Sequence, residues 1–172
     1  VFNGYESPVV FYSHTYADFL QIDRGFQEIL EKTLINEPAS EPSLIRAIAE
    51  KMPADSFVYL GNSQPIRHWD LAAPYQEKNF DVWATRGLNG IDGQVSTFLG
   101  LSLPARSNWA FLGDLTTLYD MSGFWIASQL ENVSFNVVVV NNGGGQIFSK
   151  MFDGPHFINA HSLKFKGLAA LW

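Results

Sequence analysis

Apolar positions along the chain change their period from one stretch to the next. In residues 16–34, Phe19, Ile22, Phe26, Leu30 and Leu34 recur at helical spacing, which predicts a helix. Ahead of it, residues 1–15 contain "PVVFYSH", β-branched and aromatic, and predict an extended segment. "NEPASEPS", residues 36–43, sets two prolines among polar residues and predicts a linker, with a new unit beyond it. From about residue 42 helix and strand patterns alternate. "SLIRAIAEKM" predicts a helix with Ser43 as N-cap. "SFVYLG" predicts a strand running into "NSQPIR", and a weak helical stretch follows at 66–73. "FDVWAT" predicts a second strand ending in "RGLNGIDG", then "QVSTFLGLSL" a helix. "NWAFLG" predicts a third strand ending in "DLTT", then residues 115–130 a helix with Leu118, Phe124, Ile126 and Leu130 among its apolar positions. "SFNVVVV" predicts a fourth strand ending in "NNGGG".

This alternation predicts an α/β fold, a mostly parallel sheet flanked by helices. Four consecutive valines predict a last strand buried on both faces. In such a sheet ligands bind beyond the carboxyl ends of the strands. Parallel strands would place "GNS", "TRG", "GD" and "NNGGG" on one rim.

Composition narrows the function. With 47% hydrophobic residues, 15% aromatic residues and 172 positions, the chain has material for a packed core. A net charge of −6 without a basic run argues against nucleic acid and against an anionic membrane surface. The absence of cysteine excludes disulfides and thiolate metal sites. No apolar run reaches the roughly 20 residues of a membrane span. "VFNGYESPVV" has no signal-peptide pattern, so a cytoplasmic protein is expected. The start without Met and the apolar end "GLAALW" read as cuts in a longer protein.

Common nucleotide and hydrolase motifs are absent. "GLNGIDG" is not G-x-G-x-x-G, "GGGQIF" lacks the Lys-Ser/Thr of a phosphate loop, and no G-x-S-x-G occurs. His156 and His161 read as packing residues rather than metal ligands. Asp114 alone is as readily a helix cap as a ligand. Paired with Asn141-Asn142 at the neighbouring strand end, it predicts an anchor for a hard cation and a diphosphate. A carboxylate and an amide supply oxygens, and the glycine turn can bend a carbonyl inward. A helix starting near Leu115 would offer free N–H groups to phosphate.

"GD" followed by a helix, a strand and "NN", 28 positions from Asp114 to Asn142, resembles the diphosphate-binding motif of thiamin-diphosphate enzymes. The order "GNSQPIR", "ATRGLNGIDG", "GDLTTLYD", "VVVVNNGGGQIF" is more narrowly similar to the 2-succinyl-5-enolpyruvyl-6-hydroxy-3-cyclohexene-1-carboxylate synthases of menaquinone and phylloquinone biosynthesis, over residues 40–151. Leu115, where the wider family usually has Gly, favours that narrower group. The resemblance implies thiamin diphosphate and Mg2+ (or Mn2+) as cofactors. It implies decarboxylation of 2-oxoglutarate and addition of the succinyl unit to isochorismate. Asp114 and Asn142 would then be metal ligands together with the Gly144 carbonyl, with Asn141 as the alternative to Asn142. Gly113, Leu115 and Thr116 would contact the diphosphate, Ile91 would wedge the cofactor, and Asn89 would lie beside it. Ser63, Arg67 and Arg86 would hold the two dicarboxylate substrates, with Ile147 and Phe148 on the apolar side. Arg offers carboxylates a planar fork, although each arginine could equally form an ordinary ion pair.

Three departures stand out. Gly143 replaces a third Asn and predicts a looser turn, Ser122 replaces an Asn, and the segment from Asp114 to the glycine turn is one residue longer than in the family it resembles; the roles of Asp92 and Asp120 stay open. The resemblance further implies that residues 1–36 are the tail of a central domain and 37–172 a diphosphate-binding domain cut short at its C-terminus. The activating Glu would come from a pyrimidine-binding domain outside this chain, within a homodimer or homotetramer, and the isolated chain would be inactive. Two other classes compete: another thiamin-diphosphate-dependent 2-oxo-acid lyase, and a non-catalytic α/β assembly domain.

Overall fold

The structure, a computed structural model, describes residues 15–74, 78–149, 151–152 and 154–171. The extended reading of residues 1–14 lies outside them. The chain divides into two units, Val1–Pro38 and Ala39–Trp172.

In the first unit, α1 spans Tyr16–Asn36. Thr15 starts it with a capping box: its side chain accepts from the Asp18 N–H, and the Asp18 carboxylate accepts from the Thr15 N–H at 2.7 Å. The helical period is real, yet Phe19, Ile22 and Phe26 remain exposed.

The second unit is built on four parallel strands in the order β2-β1-β3-β4. These are β1 Phe57–Leu60, β2 Asp81–Trp83, β3 Ser107–Gly113 and β4 Ser134–Val140. The period of two in β1 splits the core between the sheet's faces. Val58 and Leu60 pack with Ile45, Ala49 and Met52 at α2 (Glu41–Lys51) and with Trp69 and Ala73 at α3 (Gln64–Ala72). Phe57 and Tyr59 pack with Val95, Phe98 and Leu99 of α4 (Gln94–Leu101) and with Phe124. All four β1 residues are buried, as a central strand between two helical layers requires.

Several element boundaries differ from the sequence expectation. Helix α2 begins inside the proposed linker, and its N-cap is Ser40 rather than Ser43: Ser40 Oγ accepts from the Ser43 N–H. Pro42 fits this first turn because no intrahelical partner is needed there. The helix expected at 115–130 breaks in two, α5 at Asp114–Tyr119 and a 3₁₀ stretch at Met121–Gln129. Asp120 causes the break. Its carboxylate accepts from the Ser96 N–H (2.7 Å) and from Ser96 Oγ (3.0 Å), capping α4 from across the fold. Gly123 permits the approach, since a Cβ there would sit 2.6 Å from Ser96 Oγ. Asp120 thus has a structural role, and Asp92 is exposed. The valines of β4 are half-buried rather than buried on both faces, because β4 is an edge strand among the described residues.

Candidate functional site

The strand order defines where a ligand fits. From β1 the chain moves outward to β2, then returns through α4 to β3 on the other side of β1. The crevice beyond the ends of β1 and β3 is therefore a topological switch point. A cavity of about 360 Å³ opens there. That volume lies in the range of small-molecule sites.

Each strand end sends residues to the cavity wall. Ser63 and Arg67 come from the β1–α3 turn and the start of α3, and Arg86, Asn89 and Ile91 from the loop after β2. Gly113, Leu115 and Thr116 come from the end of β3 and α5, and Asn142, Gly144, Ile147 and Phe148 from the loop after β4. Ser63 holds φ 73°, a sparsely populated conformation for a residue with a Cβ. Arg67 and Arg86 are exposed at the wall. Arg67 donates to the Ser63 carbonyl and Arg86 to Asn62 Oδ1 at 3.2 Å. Among the described residues neither guanidinium has a carboxylate within ion-pair distance. Asn62 is buried and ties the loop down: its amide donates to the carbonyls of Thr85 (2.8 Å) and Gly90 (2.6 Å).

Asp114 does not line the cavity wall; it lies beneath the glycine turn, 3% exposed. Its Oδ2 accepts from the N–H groups of Gly143 (2.8 Å) and Gly144 (2.9 Å), and Oδ1 accepts from the Leu115 N–H (2.7 Å). The Leu115 N–H is therefore not free for a phosphate as expected, and α5 is only six residues long. The turn is also pinned from above. The Gly145 N–H donates to the Ile158 carbonyl, and the His161 N–H to the Gly143 carbonyl at 3.1 Å. Gly144, at φ 136°, has no room for a Cβ, which would lie 2.6 Å from the Ile158 oxygen. The looser turn expected from Gly143 is not what forms.

His161 packs against Asp114, a partner the sequence does not name. Its Nδ1 accepts from the Leu163 N–H, so in the neutral ring the proton sits on Nε2, 3.2 Å from Asp114 Oδ2. Nothing local in "NAHSL" signals this partner. Phe157 and Asn159 also line the cavity without having been expected there.

The two adjacent asparagines separate. Asn141 is exposed, and its amide donates to the Leu163 carbonyl at 3.0 Å. Asn142 faces the cavity, and its Nδ2 donates to Glu41 Oε1 at 2.9 Å. Glu41 Oε2 and His68 Nδ1 stand 3.2 Å apart, and neither has a hydrogen-bond partner elsewhere among the described residues. They pair when the ring carries its proton on Nδ1. That contact with His68, opposed by burial and helped by Asn142, holds the Glu41 carboxyl below its ordinary value.

The available donors suit a hard cation. Asp114 Oδ1 keeps a second lone pair, the Asn142 amide oxygen has no hydrogen bond among the described residues, and the Gly144 carbonyl accepts once, from the Gln146 N–H at 2.9 Å. No group of three or more His, Asp or Glu side chains capable of holding a metal occurs among the described residues. A cation here would thus draw most of its shell from phosphate and water oxygens. No helix among the described residues is long and apolar enough to cross a membrane.

No protein-family model matches the chain. It is 50% identical over 143 residues to a 2-succinyl-5-enolpyruvyl-6-hydroxy-3-cyclohexene-1-carboxylate synthase of Bdellovibrio bacteriovorus, covering 83% of this chain and 27% of that protein. The synthase of the same name from Akkermansia muciniphila is 37% identical over 152 residues, covering 84% of this chain and 28% of the relative. That from Geobacillus kaustophilus is 37% identical over 127 residues, covering 74% and 22%. The chain is a homologue of part of these synthases and spans about a quarter of their length. A crystal structure of a candidate thiamin diphosphate-dependent enzyme from Mycobacterium smegmatis superposes with a TM-score of 0.60 over 76% of this chain and 25% of that one. At 20% identity this likeness shows the fold.

Proposed function

We propose, from that homology and the cavity at the switch point, that the chain is the diphosphate- and cation-holding part of a thiamin-diphosphate-dependent synthase. The intact enzyme decarboxylates 2-oxoglutarate and adds the succinyl unit to isochorismate, a step of menaquinone or phylloquinone biosynthesis. The observation that carries this is the convergence on one cavity of the Asn142 and Gly144 turn with Ser63, Arg67 and Arg86. An oxygen-only cation anchor explains the first group, and dicarboxylate substrates explain the second.

When bound, thiamin diphosphate supplies the carbanion chemistry that decarboxylating a 2-oxo acid needs. The chain's own residues bind and orient. Asp114, Asn142 and the Gly144 carbonyl hold Mg2+ or Mn2+, and Gly113, Leu115 and Thr116 pack against the diphosphate. Ile91 presents an apolar surface to the cofactor, with Asn89 beside it. Arg67 and Arg86 neutralise substrate carboxylates, which an acidic protein must do locally. Ser63 donates from a strained turn, and Ile147 and Phe148 exclude water from the opposite wall. The Glu that activates the cofactor comes from a pyrimidine-binding domain outside these residues, across a homodimer or homotetramer.

Calorimetry with thiamin diphosphate and Mg2+, followed by turnover of the full-length gene product with isochorismate and 2-oxoglutarate, tests this. Joint uptake of cofactor and cation is expected, with 2-oxoglutarate preferred to pyruvate. Turnover of pyruvate in preference to 2-oxoglutarate would assign a different 2-oxo-acid enzyme. Absence of any cofactor uptake would remove the catalytic reading altogether.

A further inference from the structure

We propose that Glu41 is a positioning residue that selects Asn142 over Asn141 and turns the Asn142 amide oxygen toward the cavity. The inference rests on the cation-anchor reading above and deepens it. A carboxylate only accepts hydrogen bonds, so the Asn142 atom 2.9 Å from Glu41 Oε1 is the nitrogen. The oxygen on the same planar amide then points away from Glu41, and Asn142 stands between the hollow that holds Glu41 and the cavity, lining both. Glu41 itself does not line the cavity; with His68 and Ser149 it lines an adjoining hollow that shares Gln64, Asn142, Gln146 and Ile147 with the cavity, and Asn142 is the cavity residue it hydrogen-bonds.

Both ends of this contact are held. Glu41 is the first residue of α2, and its other oxygen meets His68 of α3 at 3.2 Å. The Asn142 backbone carbonyl accepts from Gln146 Nε2 at 3.2 Å, which fixes the main chain from which the amide projects. Asn141 has no such orientation toward the cavity, because its amide is spent on the Leu163 carbonyl. The choice between two chemically identical neighbours is thus made by a carboxylate 101 positions upstream.

The test uses the full-length gene product with thiamin diphosphate, and follows Mn2+ binding by the electron paramagnetic resonance signal of the free ion. Glu41→Ala should weaken Mn2+ binding by about 10–100-fold, the usual effect of losing a group that orients a ligand. Glu41→Gln should stay within about threefold, since its carbonyl oxygen still accepts from Asn142. In an Asn142→Ala background, Glu41→Ala should add no further loss. Wild-type affinity in Glu41→Ala, alongside a loss in Asn142→Ala, would overturn the positioning role while leaving the anchor intact. Wild-type affinity in Asn142→Ala would overturn the anchor itself. An equal loss from Glu41→Ala in both backgrounds would also overturn the proposal, as a general effect on the fold. A size-conserving pair covers the case in which Glu41→Ala does not fold. Asn142→Asp sets two carboxylates against each other, and adding Glu41→Gln should restore Mn2+ binding by about tenfold. Mere loss of a nearby negative charge would weaken binding instead, and that result would refute the proposal.

Discussion

Removing the Asp114 carboxylate should destabilise the fold in the absence of any metal. Three backbone N–H groups converge on it, from Gly143, Gly144 and Leu115, and the side chain is almost wholly buried. Asp114→Ala strips all three donors of their acceptor. The Leu115 N–H lies beside the cavity and can find water. The two glycine N–H groups sit under the turn, where each unsatisfied buried donor costs about 1–3 kcal/mol. Release of a desolvated carboxylate offsets part of this, leaving a net loss of about 3 kcal/mol. For a chain of this size that lowers Tm by about 6–12 °C. Asp114→Asn should cost less, about 1–2 kcal/mol, because its one oxygen can still serve both glycines while its NH2 faces the Leu115 N–H. The assay is thermal unfolding of the 172-residue chain in EDTA, followed by circular dichroism. An Ala variant melting within 2 °C of wild type under chelation would refute the turn-anchor role. So would a deficit appearing only with metal and cofactor present, since the carboxylate would then matter solely as a ligand.

Four further outcomes follow from the same geometry. Gly144→Ala places a Cβ 2.6 Å from the Ile158 oxygen at φ 136° and should cost about 2–4 kcal/mol in urea unfolding; no change in midpoint would contradict the pinned turn. Ser63→Gly should relieve a strained φ of 73° and raise the thermal midpoint by a few degrees, while weakening 2-oxoglutarate saturation in the intact enzyme; a lower midpoint would show the backbone there unstrained. Lys78→Met should destabilise by about 1–2 kcal/mol, because Nζ donates to the carbonyls of Ala49, Glu50 and Met52 and so caps the end of α2; an unchanged urea midpoint would remove that role. Burial pushes the Tyr59 hydroxyl above its ordinary value of 10.0, so its contribution is complete below pH 10.0 and is lost as pH rises through the higher folded value. Thermal scans from pH 8 to 11 should show that loss diminished in Tyr59→Phe.

What could be read from the chain depended on the range of the interaction. The α/β alternation was legible because side-chain period is local: Phe57 and Tyr59 against Val58 and Leu60 already encode two faces. The cavity's place was legible because parallel strands bring their ends to one rim, although Asp114 and Asn141 at two of those ends do not line its wall. The break at Asp120 was not, since apolar spacing continues past it and its cause, Ser96, lies in another helix. The four valines were misjudged because hydrophobicity reports burial potential, whereas β4's place at the described edge depends on strand order. The partner of His161 escaped for the same reason: Asp114 is remote in sequence, and no short motif around the histidine points to it.

The same carboxylate answers two demands with two oxygens. Asp114 Oδ2 is committed to the glycine turn, with His161 Nε2 3.2 Å away, while Oδ1 keeps one lone pair beyond its bond to Leu115. A helix cap and a cation ligand, which look like rival readings of "GD" in sequence, are therefore compatible in one residue. The turn must be fixed before the Gly144 carbonyl and the Asn142 amide can face the cavity, and Asp114 fixes it through their own backbone neighbourhood. Glu41 completes the arrangement from the other side by setting the amide's rotation. Cation affinity at this site would thus be preorganised by anions that hold the protein's dipoles rather than by a cluster of charged ligands. That accounts for a hard-oxygen site in which Asp114 is the single ionised side chain proposed to touch the metal.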